Sequence, residues 1–202
     1  MKYEWSSEDK GDRIKIEGPA RLSYASNYFL DNLIRTSKPI PQRNWKSFYF
    51  EAKIVNGGSN DFIGIGITEK DPNTRTKCFP GWDTNRDRTH KYSTLGIGYH
   101  GDDGGVFHNK SSEAMDYFET FTTGDVVGCL VQHSVTEDHE NITVQFTKNG
   151  RKSSLPPVQM KNAVWYPTIA MASDGAVVDI NFGEHPFLYT GVGNNFKQFL
   201  TF

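Results

Sequence analysis

The chain is predicted to fold as an all-β sandwich of antiparallel strands, and three observations carry that prediction. Apolar residues recur with a period of two over many short segments, turn-forming residues separate those segments, and the apolar material is rich in rings that suit a pleated surface. The 202 residues include 14 Phe, 9 Tyr and 4 Trp, while 19 Gly and 9 Pro are spread between the apolar runs. A chain of this length fits one domain with extensions and buries roughly 70% of its unfolded surface.

Taken in order, Ile14, Ile16, Leu22 and Tyr24 mark two short strands near the N-terminus. Phe48, Phe50, Ala52 and Ile54 then alternate with Tyr49, Glu51 and Lys53, which makes one face of an extended strand apolar. Ile63, Ile65 and Ile67 repeat the pattern, as do Leu95, Ile97 and Tyr99, and later Ile142, Val144 and Phe146 opposite Thr143, Gln145 and Thr147. From Val126 to Val131 both faces are apolar, as expected of a central strand covered on both sides. Asn56-Gly-Gly58, Asp102-Asp-Gly-Gly105, Thr123-Gly-Asp125, Lys148-Asn-Gly150 and Ser173-Asp-Gly175 supply turns, because these residues tolerate positive φ. Asn149-Gly150 is the sharpest hairpin signal, and Pro156-Pro157 ends any ladder soon after it. Residues 1–185 thus read as one unit. Residues 186–202 form an apolar C-terminal extension with Phe187, Leu188, Tyr189, Phe196, Phe199 and Leu200, expected to pack on the sandwich or on a partner and to be helical in part.

Charge and motifs narrow the function. A net charge of −2, with Lys and Arg scattered along the whole chain, excludes a broad basic surface for nucleic acid. No apolar run is long enough to cross a bilayer as a helix, so no membrane association is expected. No signal-like segment precedes the polar start, and Cys78 and Cys129 read as free thiols of a reducing compartment. Gly96-Ile-Gly-Tyr-His-Gly101 matches a dinucleotide fingerprint, but a strand runs through it and no helix follows, so the glycines read as a close-packing device. His100 with Asp102 and Asp103 has the donor types of a metal or acid/base site but lacks the spacing of a calcium loop, and a turn held by Asp side chains is favoured. No nucleophile elbow or Cys/His cluster points to an enzyme, a cofactor or a metal. Cys129 reads as a small core hydrophobe and Cys78 as the more exposed thiol, while Trp82 and Trp165 read as core or rim-supporting residues.

The ordered blocks Phe48–Ile54, Ile63–Gly66, Pro80-Gly-Trp-Asp83, Gly98-Tyr-His-Gly-Asp-Asp-Gly104, Phe121–Cys129, Phe146–Gly150 and Val178–Gly183 together resemble a SPRY (B30.2-like) domain. Pro80–Asp83, Gly98–Gly104 and Phe182-Gly-Glu-His-Pro-Phe187 are most similar to the RanBPM group of scaffolds. The resemblance implies a bent, concanavalin-like sandwich of two antiparallel sheets that binds another protein or a linear peptide motif. It further implies an adaptor or scaffold that belongs to a larger complex, in some relatives a ubiquitin ligase, in the cytoplasm and also the nucleus. In peptide-binding members three loops meet at one rim, which correspond here to Arg35–Trp45, Glu69–Phe79 and Ser173–Ala176. The expected contacts are Arg35, Lys38, Pro39 and Ile40 from the first loop, Cys78 and Phe79 from the second, and Ser173, Asp174 and Gly175 from the third. The chain lacks the tyrosine and the tryptophan that the best-defined peptide binders carry in the second and third loops, so their asparagine-rich ligand is not expected. The charged loops Arg86–Lys91 and Val135–Asn141 read as solvated connections. A carbohydrate-binding, lectin-like sandwich is the alternative function.

Overall fold

The computed structural model describes residues 2–26, 28, 30–41, 45–70, 78–83, 95–135 and 140–192. Apart from one 3-10 turn at Thr190–Val192, the regular elements among these residues are strands arranged in two antiparallel sheets. The first sheet runs in the order β1 (Trp5–Lys10), β4 (Asn32–Thr36), β14 (Trp165–Met171), β6 (Ile63–Glu69), β7 (Gly96–His100), β8 (Gly105–His108) and β9 (Asp116–Tyr117). The second runs β12 (Arg151–Lys152), β11 (Glu140–Lys148), β10 (Val126–Val135), β5 (Ser47–Asn56), β15 (Val177–Asn181), β3 (Arg21–Tyr24) and β2 (Ile14–Ile16), with β13 (Val158–Lys161) also paired to β11.

The core lies between the sheets, where the alternation in the sequence places it. Ile63, Ile65, Ile67, Ile97, Tyr99 and Ile169 of the first sheet meet Phe48, Phe50, Ala52, Val127, Cys129 and Val144 of the second. β10 sits between β5 and β11, and its two apolar faces are both used. Val127, Cys129 and Val131 point into the core, whereas Leu130 points outward to Tyr49. The outward pair is covered by the C-terminal segment, whose Phe187, Tyr189 and Val192 pack on it. Glu51, buried on the same outer face, fixes that segment by accepting the backbone N–H groups of Leu188 at 3.0 Å and Tyr189 at 2.9 Å, together with the Tyr49 hydroxyl at 2.8 Å. Phe196, Phe199 and Leu200, with the helical spacing expected of them, lie outside the described residues.

The hairpin at Asn149-Gly150 joins β11 to β12, with φ of 50° and 75° at the two turn residues, as a two-residue turn with both centres at positive φ requires. Cys78 and Cys129 are both buried free thiols. The expectation that Cys78 is the exposed one is therefore corrected. Its Sγ lies against the Trp82 carbonyl at 3.1 Å, under the segment that carries the Gly-Trp-Asp block.

Candidate protein-interaction site

The outer face of the first sheet is stripped of side chains along β6 and β7, because Gly64, Gly66, Gly96 and Gly98 alternate with the inward isoleucines and Tyr99. The Cys78–Asp83 segment lies on this bare surface. A Cβ at Gly64 would stand 2.7 Å from the Phe79 ring, and one at Gly98 would stand 2.6 Å from the Pro80 carbonyl oxygen, so only glycine admits the segment at either place. The glycines of the nucleotide-like motif thus serve close packing. Phe79 joins Leu33, Ala170 and Ala172 in a small apolar cluster separate from the main core, with Phe62 and Trp82 at its margin.

Trp82 is held in place by its backbone. Its N–H donates to the Phe79 carbonyl at 3.2 Å, it bridges to Ser111, and the Ser111 N–H donates to the Gly81 carbonyl at 3.0 Å. Its ring stands nearly perpendicular to Phe79, at 89° with centroids 6.2 Å apart, and edge-on to His100 and Phe107 at 6.4 Å from each. His100 stacks on Phe107 at 4.3 Å and meets Phe79 at 4.9 Å. Beside these rings a pocket of about 240 Å³ opens, with Phe62, Phe79, Trp82, His100 and Phe107 in its walls and Asp31, Asp102, Asp103 and Ser112 around them.

The pocket's electrostatics follow from this packing. Burial holds the His100 imidazole neutral, with its pKa lowered to about 3 although its Nε2 lies 3.4 Å from the Pro80 carbonyl. Burial, and next the charge of Asp102, raise Asp31 to about 7. Asp102, exposed at the mouth, is raised to about 6 by desolvation and by its neighbour Asp103, with a smaller contribution from Asp61. Donor atoms of His100, Asp102 and Asp103 lie within 4.8 Å of one another, which makes these residues a metal-capable group among the described residues. Asp103 also serves the turn, as the sequence suggests, since its Oδ1 accepts the Gly105 N–H at 2.7 Å.

Among the described residues the first and third expected loops lie at opposite ends of the sheet, while residues 42–44 of the first and 71–77 of the second lie outside the described residues. The backbone N–H of Ile40 donates to the Trp165 carbonyl, at the start of β14. The Ser173–Gly175 turn follows the end of that strand, roughly 20 Å away at the usual rise per residue. Lys38 is exposed and Pro39 partly so, but Ile40 is in the main core. Arg35 is wholly buried on the outer face, where its Nη1 meets Asp9 Oδ1 at 2.9 Å and its Nε donates to Thr68 Oγ1 at 2.7 Å. That burial corrects its expected role, because a guanidinium spent on an internal ion pair does not reach a partner.

At the other end, Ser173 is buried and its Oγ accepts the Asn60 N–H at 2.8 Å. Asp174 and Gly175 are exposed, yet their backbone is occupied. The Asp174 carbonyl accepts the Ser59 N–H, and the Gly175 N–H donates to Tyr24. Phe79, Asp174 and Gly175 thus belong to the end of the sheet that carries the pocket, and the Lys38 turn belongs to the opposite one. Asp31, Phe62 and Phe107 were not among the expected contacts. A usable signal was the run of glycines on one strand face, which requires something to lie there and so places the Trp82 block beside the Asp-Asp turn.

A family model for the SPRY domain matches residues 47–185. The chain belongs to the SPRY domain family. Its SPRY fold is like that of a human SPRY domain crystal structure, with a TM-score of 0.66 at 23% identity over 87% of this chain and 98% of that one. The SPRY domain of human HERC1 gives a TM-score of 0.60 at 17% identity over 90% of this chain and 99% of that chain, which shows the fold alone. In sequence the chain is 38% identical over 189 residues to Ran-binding protein 9 of Mus musculus, covering 92% of this chain and 26% of that protein. A Ran-binding proteins 9/10 homolog of Drosophila melanogaster is 35% identical over 198 residues, covering 96% of this chain and 18% of the homolog. The chain therefore spans about a quarter or less of the length of these relatives. The SPRY match and these relatives support a protein-interaction module, and they do not support the lectin-like alternative.

Proposed function

We propose that this SPRY domain is the recognition module of an adaptor or scaffold and binds a peptide segment or surface of another protein. The observation that carries the reading is an open, ring-walled pocket at one end of a rigid sheet, in a chain similar to Ran-binding proteins 9 and 10. A preformed surface of this kind loses little ordering entropy on association, and a few anchors dominate its affinity. The contact face comprises the pocket, the exposed Asp174-Gly175 turn, and Tyr28 and Leu30, which are 74% and 46% exposed on the segment leading into Asp31. Lys38 and Pro39, at the far end, form a separate contact only for a partner long enough to span the sheet. Substrate recognition in ubiquitin ligation, membership of a larger complex and a cytoplasmic location with access to the nucleus belong to this proposal, resting on the resemblance to the RanBPM group.

The test is affinity capture with the 202-residue chain from cells of the source organism, followed by calorimetric titration of each purified candidate. Saturable one-to-one binding that survives EDTA is the expected result. Retention only on glycans, or no saturable protein ligand, refutes the proposal.

A further inference from the structure

Resting on the interaction reading above, we propose that the pocket beside Phe79, Trp82 and Phe107 receives an arginine side chain of the protein partner, with Asp31 and Asp102 as its counter-ions. The size fits. About 240 Å³ lies below the usual range for drug-sized ligands and is room for one long side chain. The walls fit a flat cation, because a guanidinium stacks on ring faces and is attracted by their quadrupoles. Trp82 and Phe79 meet at 89° and form a corner, so one ring offers its face while the other closes the side.

Charge selects the occupant. Asp31 Oδ1 is shut off from solvent and has no hydrogen-bond partner among the described residues. Among those residues no ion pair involves Asp31, Asp102 or Asp103, so no cation of the described residues is paired with the carboxylates that line the pocket. Beyond the effect of burial, the charge of Asp102 raises the proton affinity of Asp31, and a cation between the two carboxylates relieves that repulsion. His100, neutral at physiological pH, puts no opposing charge in the wall. Arginine suits the site better than lysine, since its planar fork engages two carboxylates while its face lies on a ring.

The test is an amide NMR titration of the whole chain at neutral pH with three probes: acetyl-Gly-Arg-Gly-amide, the same peptide with citrulline in place of arginine, and Ca²⁺ or Zn²⁺ alone. The arginine peptide should shift the Trp82 indole N–H and the amides of His100–Phe107, saturating on the order of 1 mM as a single anchor. The citrulline peptide, equal in shape but uncharged, should leave them in place. Asp102→Asn and Asp31→Asn are both isosteric and remove charge repulsion, so each should keep the native amide dispersion and weaken the arginine peptide by roughly tenfold. Equal responses to both peptides, shifts elsewhere, or undiminished binding by both variants overturn the assignment. Tight saturation by either metal ion, with the arginine peptide excluded, overturns it in favour of a metal site. A captured partner that binds both variants like the wild type removes the pocket but leaves the interaction module standing, whereas the absence of any saturable partner removes the module itself.

Discussion

Replacing Arg35 with methionine separates stability from binding at a residue whose loop position suggests a contact with a partner. The side chains of Arg35 and Asp9 are only 1% and 12% exposed, with Nη1 and Oδ1 2.9 Å apart. Arg35 Nε also donates to Thr68 Oγ1, which in turn bonds to Thr168 at 2.8 Å. Removing one partner of a buried pair costs about 3–5 kcal/mol, because the other charge remains buried and uncompensated. Two features place this site at the low end. Asp9 retains some solvent, and Lys70 Nζ stands 3.8 Å from its second oxygen. Methionine keeps most of the apolar stem, so packing changes little. The expected loss is about 3 kcal/mol. In a domain of this size each kcal/mol lowers the melting temperature by about 2–4 °C, which gives roughly 6–12 °C by calorimetry. Asp9→Asn in the same chain should recover part of that loss, since no unpaired charge is then left. Partner affinity per folded molecule should not change. A melting temperature within about 2 °C of the wild type, combined with lost partner binding, would refute the placement of Arg35 inside the sheet face.

Further outcomes follow from other contacts. Glu51→Ala leaves the Leu188 and Tyr189 N–H groups and the Tyr49 hydroxyl without their acceptor, so residues 187–192 should exchange deuterium much faster while β5 and β10 remain protected. Gly98→Val should displace the Pro80–Trp82 segment and cost about 1–3 kcal/mol, read as lost stability together with a shifted Trp82 indole resonance. Because the folded pKa of Asp31 is raised to about 7, between about pH 4 and 7 the native state holds a proton that the unfolded chain has released. Stability should therefore rise as pH falls through 7 and level off near the unfolded value, Asp102 adding to the trend below about 6, and Asp31→Asn should flatten the profile in a pH series of thermal melts. Cys78 and Cys129 should resist a thiol reagent in the native state and react only on unfolding, for both are fully buried and burial raises the Cys129 pKa.

The strands were legible because their faces alternate so regularly, and Phe48 to Ile54 needed no more than period two. The double-faced apolar run at Val126–Val131 located a central strand correctly, and its outer cover is in part the Phe187–Tyr189 segment. Arg35 was misplaced for a physical reason. A charged residue beside a loop reads as exposed, and its partner Asp9 is 26 residues away, so local pattern carries no sign of the pair. The pocket was hidden likewise. Asp31, Phe79 and Asp102 come together only through strand order, since β4, β14, β6 and β7 are consecutive neighbours in the sheet but distant in the chain. The loops were expected to share a rim by analogy with other SPRY domains, whereas the register of β14 with β4 and β6 sets the Lys38 and Asp174 turns at opposite ends.

The most direct test of the account is a hydrogen-exchange footprint of the chain with and without the first purified partner that binds it saturably. Protection should concentrate on residues 30–31, 58–62, 100–107 and 172–175, around the pocket and the Asp174 turn, and leave the 37–41 turn unchanged. Protection confined to residues 37–41, or spread along the outer face of the second sheet with the pocket unaffected, would contradict it.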